Sequence, residues 1–468
     1  RSSDLPGLDG PWMRKAERNY PYLLKFWGEL DAAQRADLAE QLASLPDAEY
    51  LRASFQAAMR ADSEASAKEL LPLQDAVDVL SAAKDSATWS RWYQLGLRVL
   101  SAGECAVVTL AGGQGTRLGS SQPKGCYRIG LPSGASLFEI QARRIKKIQA
   151  LAGAQLSWFV MTSKPTHADT VAHFAAHQFF GLDPARVHFF QQGLLPAFTA
   201  NGDLILQSKH SLAVAPDGNG GIYRALEREG VLAELTRRGI KYVHMYCVDN
   251  CLVKVADPAF IGACVERGAD CAAKCVSKAD PAESVGVFCR RATDQQLIVA
   301  EYSELDAKLA EARAPSGGLL FNAANIANHF FTVSFLQQLS NRHLPYHVAR
   351  KKIPAIDAAT GAACVLQGIK LEAFIFDVFE AASKPILYRV DREEEFAPLK
   401  NAPGVLKDSP ECCVQALSNL HRRYLLTIGA QFTDAVKVVE IDPALSYHGE
   451  GLDRYRGVVF SESTINLK

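Results

Sequence analysis

The chain has 468 residues, of which 48% are hydrophobic and 22% charged, a balance typical of soluble globular proteins. Lys and Arg together number 51, as do Asp and Glu, so the formal net charge is zero and no overall basic field favours nucleic acid as a partner. No apolar run is long enough to cross a bilayer and no secretory signal opens the chain, so we expect no membrane partner either.

The eleven cysteines are scattered, and several lie in apolar runs such as "KCVSK" and "VFCRR". This distribution is typical of buried, reduced thiols rather than of a disulfide framework. We therefore expect a cytoplasmic protein, and any self-association is expected to be that of a weak homo-oligomer.

Residues 1–100 are predicted to form a helical N-terminal region. The stretches "AAQRADLAEQLASL" and "SEASAKELLPLQDAVDVLSAA" have apolar residues three and four positions apart with charged residues between them. This spacing is the pattern of amphipathic helices. We expect the region to pack against the domain that follows it.

Residues 101–396 alternate between two kinds of segment. Short apolar runs ("CAVVTL", "SWFVMTS", "VHFFQQG", "KYVHMYCVDN", "LIVAEYSE") are separated by helix-like stretches ("LFEIQARRIKKIQAL", "GIYRALEREGVLAELTRRG", "DPAFIGACVERG"). In the last stretch Asp257 is the expected N-cap and Pro258 the first helical residue. The alternation predicts an α/β fold with a doubly wound, mostly parallel sheet, which collects ligands at the carboxyl ends of its strands.

Residues 397–468 have a weaker pattern. The segments "VKVVEIDPALSYHGEG" and "YRGVVFSES" read as short strands separated by turns. A small, strand-rich C-terminal domain is therefore predicted, which makes three regions in all.

The glycine-rich stretch "LAGGQGTRLGSSQPKG" follows the first apolar run, and such a turn lets phosphate oxygens approach bare backbone N–H groups. A P-loop is rejected because Pro123, not glycine, precedes Lys124. A dinucleotide fingerprint fits poorly because its third glycine falls one position late, at Gly119, so a nicotinamide-dependent oxidoreductase is the weaker alternative. Two interpretations remain: a loop around a nucleoside triphosphate, neutralised by Arg117 and Lys124, or a structural turn with two solvated cations.

The whole stretch resembles the signature of sugar nucleotidyltransferases, in particular the eukaryotic UDP-N-acetylhexosamine pyrophosphorylases and their "like" paralogue. The segments "FFQQGLLPAF", "APDGNGGIYRAL", "YCVDNCLVKVADP", "EYSE", "NIANHFF", "GIKLEAFIFDVF" and "FAPLKNA" are similar to that family, in the family's order. The resemblance implies the Rossmann-like fold of nucleotide-diphospho-sugar transferases. It also implies a uridylyltransferase that converts UTP and an N-acetylhexosamine 1-phosphate into the UDP-sugar and pyrophosphate by in-line attack, assisted by Mg²⁺ or Mn²⁺.

The resemblance also assigns the nucleotide and phosphate site. Gln192, with Gln191 as the alternate, would read uracil, because an amide both donates and accepts hydrogen bonds. Asp249 would hold the metal ion, although a capping or turn aspartate is the alternative for it. The residues expected at the nucleotide are Leu110, Ala111, Gly112, Gly113, Gln192 and Gly218, and the cations expected at the phosphates as catalytic groups are Arg117, Lys124 and Lys400.

The sugar is expected to contact a further set of residues, with core packing as the alternative for the phenylalanines and "GIKLEAFIFDVF" predicted to be helical. At position 324 the chain has alanine where the family pattern N-A-G-N has glycine. A methyl group there is expected to crowd the sugar or to strain a positive-φ backbone. The second hypothesis is therefore a UDP-sugar-binding regulatory paralogue with weak or no activity. The expected sugar contacts are Asn219, Glu301, Tyr302, Asn325, Lys370, Phe374 and Phe376.

Overall fold

The computed structural model describes residues 11–64, 69–74, 79–83, 86–302, 304–339, 342 and 344–468. The chain divides into two compact units, and each is composed of three sequence segments. The three regions predicted from the sequence have different limits from these units, and that division stays a prediction. The first unit contains Arg1–Lys68, Gly193–Gly221 and His343–Asp377, and the second contains Glu69–Gln192, Ile222–Arg342 and Val378–Lys468.

Helices and strands occur in both units. The helices are α1 (Pro11–Asn19), α2 (Ala32–Ser44), α3 (Ala48–Glu64), α4 (Ala87–Ser101), α5 (Leu137–Ala152), α6 (Lys164–Ala176), α7 (Ile222–Arg228), α8 (Val231–Arg237), α9 (Pro258–Arg267), α10 (Ala307–Glu311), α11 (Val333–Leu339), α12 (Arg392–Glu395) and α13 (Pro410–Thr427). The strands are β1 (Leu70–Leu71), β2 (Val79–Leu80), β3 (Cys105–Leu110), β4 (Ser157–Thr162), β5 (Val187–Gln191), β6 (Leu194–Pro196), β7 (Leu206–Ser208), β8 (Ser211–Leu212), β9 (Val214–Pro216), β10 (Tyr242–Cys247), β11 (Cys271–Ser277), β12 (Val287–Arg291), β13 (Leu297–Ala300), β14 (Ala323–Thr332), β15 (His347–Ile356), β16 (Ala363–Glu372), β17 (Pro385–Arg389), β18 (Gln431–Phe432), β19 (Val438–Ile441), β20 (Val459–Phe460) and β21 (Thr464–Leu467).

The first unit packs α1–α3 against the antiparallel pair β15–β16 and the short pairs β6–β9 and β7–β8. Helix α2 forms where the apolar spacing predicts it. It begins with a capping box, in which the Asp31 carboxylate accepts from the Gln34 backbone N–H and the Gln34 side chain accepts from the Asp31 N–H. Leu38 and Leu42 of this helix lie in one hydrophobic cluster with Phe198 and Ile369.

Two predicted helices are wrong, because strand pairing overrides the apolar spacing. In the stretch from 63 to 83, Leu70–Leu71 pair with β12 and Val79–Leu80 pair with β17. Residues 65–68 and 75–78 of that stretch lie outside the described part of the chain. In "GIKLEAFIFDVF" residues 368–372 belong to β16 and pair with β15, and the buried Ile369 and Leu371 alternate there with the half-buried Lys370 and Glu372.

The second unit is built on a central sheet, to which eleven strands contribute within the described residues. Its main order is β2-β17-β11-β14-β10-β3-β4-β5, and β1, β12 and β13 extend it beside β14. Every neighbouring pair on the main path is parallel except the two pairs that β14 makes. All residues of β3 and β4 are buried. The predicted α/β fold with a mostly parallel sheet is therefore confirmed.

Helices α4 and α9 approach unusually closely. A Cβ added to Gly262 would lie 2.7 Å from the backbone carbon of Trp92, and one added to Gly96 would lie 2.7 Å from the Cα of Pro258. Only glycine permits this crossing, because those atoms are backbone and cannot rotate away. Helix α9 begins as predicted, since the Asp257 carboxylate accepts from the Ala259 N–H and Pro258 is its first residue.

His244 lies fully buried at the centre of the sheet, next to this helix. Its Nδ1 accepts from the Ala256 N–H at 2.9 Å, and its Nε2 donates to Oδ1 of Asn328 at 2.8 Å. Burial, with a smaller contribution from the charge of Lys274, lowers the pKa of His244 from 6.5 to about 4. The neutral tautomer is therefore built into the core, because a second ring proton would face the Ala256 N–H.

Residues 397–468 combine the strands β18–β21 with helix α13, which has 18 residues. Side chains from this segment share one hydrophobic cluster with Leu118, Ile129 and Ile140, so it packs onto the surroundings of the glycine-rich loop. All eleven cysteines are free thiols. Within the described ranges, no helix has both the length and the apolar character that a membrane span requires.

Candidate active site

The glycine-rich loop follows β3 at the carboxyl edge of the sheet. The backbone N–H of Ala111 donates to the Met161 carbonyl of β4, which keeps the loop's first residues in line with the strands. Further on the loop folds back, because the Lys124 N–H donates to the Gly113 carbonyl at 3.1 Å and Gln114 pairs with Pro123. This fold places the base of the Lys124 side chain beside the exposed backbone of Gly113.

Gln192 and Gly112 face each other directly. A Cβ added to Gly112 would lie 2.9 Å from Cδ of Gln192 and closer still to its Oε1. Both residues are held from behind, since the Ser163 hydroxyl donates to the Gly112 carbonyl at 2.7 Å and the Gln192 N–H donates to Thr162. The absence of a side chain at position 112 therefore leaves room for the amide that is predicted to read uracil.

Three charged groups converge at the end of β10. Nζ of Lys124 lies 3.5 Å from Oδ2 of Asp249, and both side chains are about one-fifth exposed. The Asp249 carbonyl accepts from the Leu399 N–H at 2.9 Å, which brings Lys400 to the same place. Burial and the Asp249 carboxylate raise the pKa of the Cys247 thiol to about 12, while the charges of Lys124 and Lys400 oppose this shift. The charges of Asp249, Lys124 and Lys400 are therefore all close enough to the Cys247 thiol to shift its pKa.

Arg117, also a described residue, makes no ion pair with Asp249. It is on the short turn Thr116–Leu118 of the glycine-rich loop, and its side chain is exposed. The structure therefore places this cation on the loop but does not bring it to Asp249.

Asp249 contributes one carboxylate beside Lys124. Among the residues that the structure describes, no three His, Cys, Asp or Glu side chains come together as a metal cage. Magnesium usually takes one or two carboxylates together with substrate phosphates and water. The donor set therefore fits an ion that is held jointly by Asp249 and a phosphate chain.

Glu301 and Asn325 lie around Gly286 at the same edge of the sheet. A Cβ on Gly286 would be 2.9 Å from Oε1 of Glu301, and the Asn325 N–H donates to the Gly286 carbonyl at 2.9 Å. They meet because β14 is antiparallel and starts where β11 ends, with Ala323 opposite Ser277. Two of the predicted sugar contacts are thus neighbours in space.

Ala324 does not have the effect expected from the sequence. Its backbone is not in the positive-φ region, in contrast to Ala327 with φ of 51°. Its methyl group is fully buried in a hydrophobic cluster with Val276 and Val285. The expectation of strain at position 324 is therefore wrong, because the residue has no positive φ and its methyl group is packed in a hydrophobic cluster.

Tyr302 directly follows Glu301 and is 55% exposed. A tyrosine that is this accessible can make a hydrogen bond through its hydroxyl group to a ligand at the edge of the sheet. Its position next to Glu301 is compatible with the predicted sugar contact, which stays a prediction.

In the first unit, Gly218 and Asn219 form a turn after β9 that packs against Ala373, the residue after β16. Gly218 has φ of 86°, and a Cβ on it would lie 2.8 Å from the Ala373 backbone nitrogen, so glycine is required there. Oδ1 of Asn219 accepts from the Ile375 N–H at 2.9 Å. The turn is therefore rigid, and Asn219 contributes to its own placement.

The predicted phenylalanines, Phe374 and Phe376, come after β16 and lie in a loop, not in a helix. The rings of Phe374 and Phe376 are 5.1 Å apart, and Phe376 is buried. The ring of His347 lies 4.3 Å from that of Phe374, and its Nε2 is 3.0 Å from Oδ1 of Asp377. Sequence reasoning missed this His–Asp pair, because 30 residues separate its members. Lys370, also in the first unit, lies half-buried on β16 opposite Ala349.

Comparisons with known proteins show the family to which the chain is similar. Residues 92–439 match the family model described as UTP--glucose-1-phosphate uridylyltransferase. The human UDP-N-acetylhexosamine pyrophosphorylase-like protein 1 is 45% identical over 467 residues, which covers 93% of this chain and 92% of that protein. The UDP-N-acetylglucosamine pyrophosphorylase of Saccharomyces cerevisiae is 45% identical over 391 residues, which covers 81% of each chain.

A solved structure is also similar over nearly the whole chain. The uridine diphosphate N-acetylglucosamine pyrophosphorylase of Trypanosoma brucei, crystallised with an inhibitor, superimposes with a TM-score of 0.85 at 30% identity and covers 98% of this chain and 97% of that one. A fold that is shared at this level, together with the two relatives, extends the likeness well beyond the glycine-rich loop. The chain belongs to the UDP-N-acetylhexosamine pyrophosphorylases, within the wider UTP--glucose-1-phosphate uridylyltransferase family.

Proposed function

We propose that this protein transfers the uridylyl group of UTP to an N-acetylhexosamine 1-phosphate, yielding UDP-N-acetylhexosamine and pyrophosphate. The observation that carries the proposal is the juxtaposition of Lys124 and Asp249, 3.5 Å apart, at the end of a glycine-rich loop. N-acetylglucosamine 1-phosphate is the preferred acceptor, because the yeast relative is named for the product made from it.

The nucleotide is oriented by backbone and amide groups. Gln192 pairs with the uracil edge, and the bare Cα of Gly112 leaves room for the Gln192 amide to do so. Gly113 leaves the backbone open for the phosphates, since an added Cβ would meet no protein atom within 4 Å. Binding in this way fixes the α-phosphorus for attack from one side.

The chemistry requires charge neutralisation more than proton transfer. The 1-phosphate oxygen attacks the α-phosphorus of UTP, and the bond to the pyrophosphate oxygen breaks on the opposite side. Lys124 and Lys400 stabilise the negative charge that moves onto pyrophosphate, and Arg117 adds a planar fork for its oxygens. Asp249 would hold Mg²⁺ or Mn²⁺, and the ion supplies charge neutralisation at the phosphates when it is bound.

The sugar is held by hydrogen bonds and by aromatic surface. Near Gly286, Glu301 accepts hydrogen bonds from the sugar hydroxyl groups, and Asn325 accepts or donates them. Tyr302, next to Glu301, offers its own hydroxyl group. Within the first unit, Phe374 and Phe376 are the proposed apolar surface for an acetamido methyl group, and Asn219 and Lys370 are the proposed polar contacts. The residues for the acetamido group distinguish N-acetylhexosamines from glucose 1-phosphate.

The second hypothesis, a UDP-sugar-binding regulatory paralogue with weak or no activity, is based on Ala324. Because the Ala324 methyl group is packed in a hydrophobic cluster, that residue no longer supports it. We also place the protein in the cytoplasm, because its eleven cysteines are free thiols and most of them are buried.

Pyrophosphate release tests the proposal. Purified protein is given UTP and Mg²⁺ with N-acetylglucosamine 1-phosphate, N-acetylgalactosamine 1-phosphate or glucose 1-phosphate, beside a Lys124→Ala variant as the matched control. We expect release with an N-acetylhexosamine 1-phosphate and a large loss in the variant. Absence of release from the wild type with every acceptor would refute the uridylyltransferase activity.

A further inference from the structure

The segment that carries Lys400 is fastened to the segment that carries Asp249. The Cys251 N–H donates to the Ala397 carbonyl at 3.1 Å, and the Leu399 N–H donates to the Asp249 carbonyl at 2.9 Å. Asn250 and Pro398 form an isolated antiparallel bridge between them. The two segments are therefore in register. The 150 residues between Asp249 and Lys400 form a loop whose two ends are joined here by hydrogen bonds.

The side chain of Asn250 makes the cross-links that hold this register. Its Nδ2 donates to the Glu395 carbonyl at 2.6 Å, and its Oδ1 accepts from the Ala397 N–H at 3.0 Å and the Leu252 N–H at 3.2 Å. The residue is 3% exposed. Because all three partners are backbone groups, the amide positions chain segments and does not hold another side chain.

Glu395, whose carbonyl accepts from Asn250, is held in the core by ion pairs. The fully buried Lys274 ammonium lies 2.5 Å from Oδ2 of Asp257 and also pairs with the Glu395 carboxylate. Lys254 pairs with Glu394 at 2.9 Å and with the other oxygen of Glu395 at 3.4 Å. A buried, doubly paired Glu395 cannot shift without leaving charges unpaired, so Asn250 is bonded to a fixed point.

We propose that Asn250 is a positioning residue that sets the distance between Asp249 and Lys400, and so delivers the Lys400 ammonium to the leaving pyrophosphate. This inference rests on the proposed function. The physical reason is that a long lysine side chain follows its backbone, and an error of about 1 Å at a charge-stabilising group costs a large factor in rate. Asn250 itself touches no reacting atom.

A double-mutant cycle tests the inference. The four proteins are the wild type, Asn250→Ala, Lys400→Ala and the double variant, and each is assayed for kcat/KM in pyrophosphate release and, by calorimetry, for affinity toward inorganic pyrophosphate. We expect Asn250→Ala to lower kcat/KM roughly 10- to 100-fold in the wild-type background. In the Lys400→Ala background it should change little, because the group that Asn250 positions is already gone.

Two further variants separate positioning from general stability. Asn250→Ser keeps a short acceptor for the Leu252 N–H but does not reach Ala397, so it should fold well and still lose activity like Asn250→Ala. Asn328→Ala removes another buried asparagine amide, bonded to His244 and 1% exposed. It should lower the melting temperature without coupling to Lys400→Ala.

The outcomes are distinct. If Asn250→Ala lowers kcat/KM by the same factor in both backgrounds, or if Asn250→Ser is fully active, the inference is overturned. A wild type that binds pyrophosphate but forms none from UTP would refute the proposed function, and the binding cycle would then decide the inference. If the wild type neither binds nor forms pyrophosphate, both are refuted.

Discussion

Replacing Gly112 with alanine perturbs the proposed nucleotide site, next to Gln192. The new methyl carbon would lie 2.9 Å from Cδ of Gln192, whereas carbon atoms in ordinary contact are about 3.5–4.0 Å apart. The amide therefore has to retreat by roughly 0.6 Å or more. Because the Gly112 carbonyl is held by Ser163, the side chain of Gln192 moves and the loop stays.

The expected consequence is a loss of base recognition with little loss of stability. The atoms that move are the end of a flexible side chain, so the free energy of unfolding should change by less than about 0.5 kcal/mol. Uracil loses well-placed hydrogen bonds worth about 1–3 kcal/mol, which corresponds to a fall in kcat/KM for UTP of roughly 5- to 150-fold. The preference for UTP over CTP should fall as well.

The assay is pyrophosphate release at saturating sugar 1-phosphate, with UTP and CTP compared. Gly113→Ala is the matched control, because its Cβ would meet no protein atom within 4 Å and leaves Gln192 in place. It should lower kcat/KM for both nucleotides alike, since it obstructs the phosphate side. A folded Gly112→Ala variant with an unchanged UTP preference would refute the reasoning about Gln192.

Four other predictions concern stability, pH, the metal ion and the sugar side. Gly262→Ala should lower the free energy of unfolding in urea by about 3 kcal/mol, because the added carbon would lie 2.7 Å from the backbone carbon of Trp92. The pKa of His244 is lowered from 6.5 to about 4 by burial, so the unfolded chain binds the extra proton between these values and stability is lost as pH falls through this window; one such site should cost about 2 kcal/mol between pH 7 and pH 5. Asp249→Asn should raise the Mg²⁺ concentration for half-maximal pyrophosphate release by roughly 10-fold or more. Ala324→Gly should lower the melting temperature and leave kcat/KM little changed, since a buried methyl group is lost outside the site.

Each of these has a control and a contrary result. Gly28→Ala adds a methyl group in open space and should leave unfolding unchanged, so an equal loss there would contradict the crossing argument. A non-titrating His244→Gln variant should lose part of the acid sensitivity, and an identical pH slope would count against this histidine. Asp249→Asn with an unaltered Mg²⁺ requirement would remove it as the metal ligand, and a large gain of activity in Ala324→Gly would revive the regulatory hypothesis.

Local sequence patterns predict the structures of their own segments correctly, because these structures depend on neighbouring residues. The run "CAVVTL" is a strand with all six residues buried, and Asp257 caps α9 as its position before Pro258 indicates. The family was identified from the glycine-rich loop and the motifs that follow it. The helices predicted at Leu70–Leu71 and at Ile369–Leu371 are wrong, because another strand supplies hydrogen bonds that override the helical spacing of apolar residues.

The sequence alone therefore determined buried strands such as β3, the cap of α9 and the family, all of which follow from short-range pattern, and it predicts that the loop binds phosphate. The tertiary structure decided which charges meet: Lys124 and Asp249 are 125 residues apart, and Asn250 reaches Glu395 across 145. It also decided that Ala324 lies in a packed cluster rather than in a strained turn. These outcomes depend on sheet order and register, which no local segment specifies because their hydrogen-bond partners come from elsewhere in the chain.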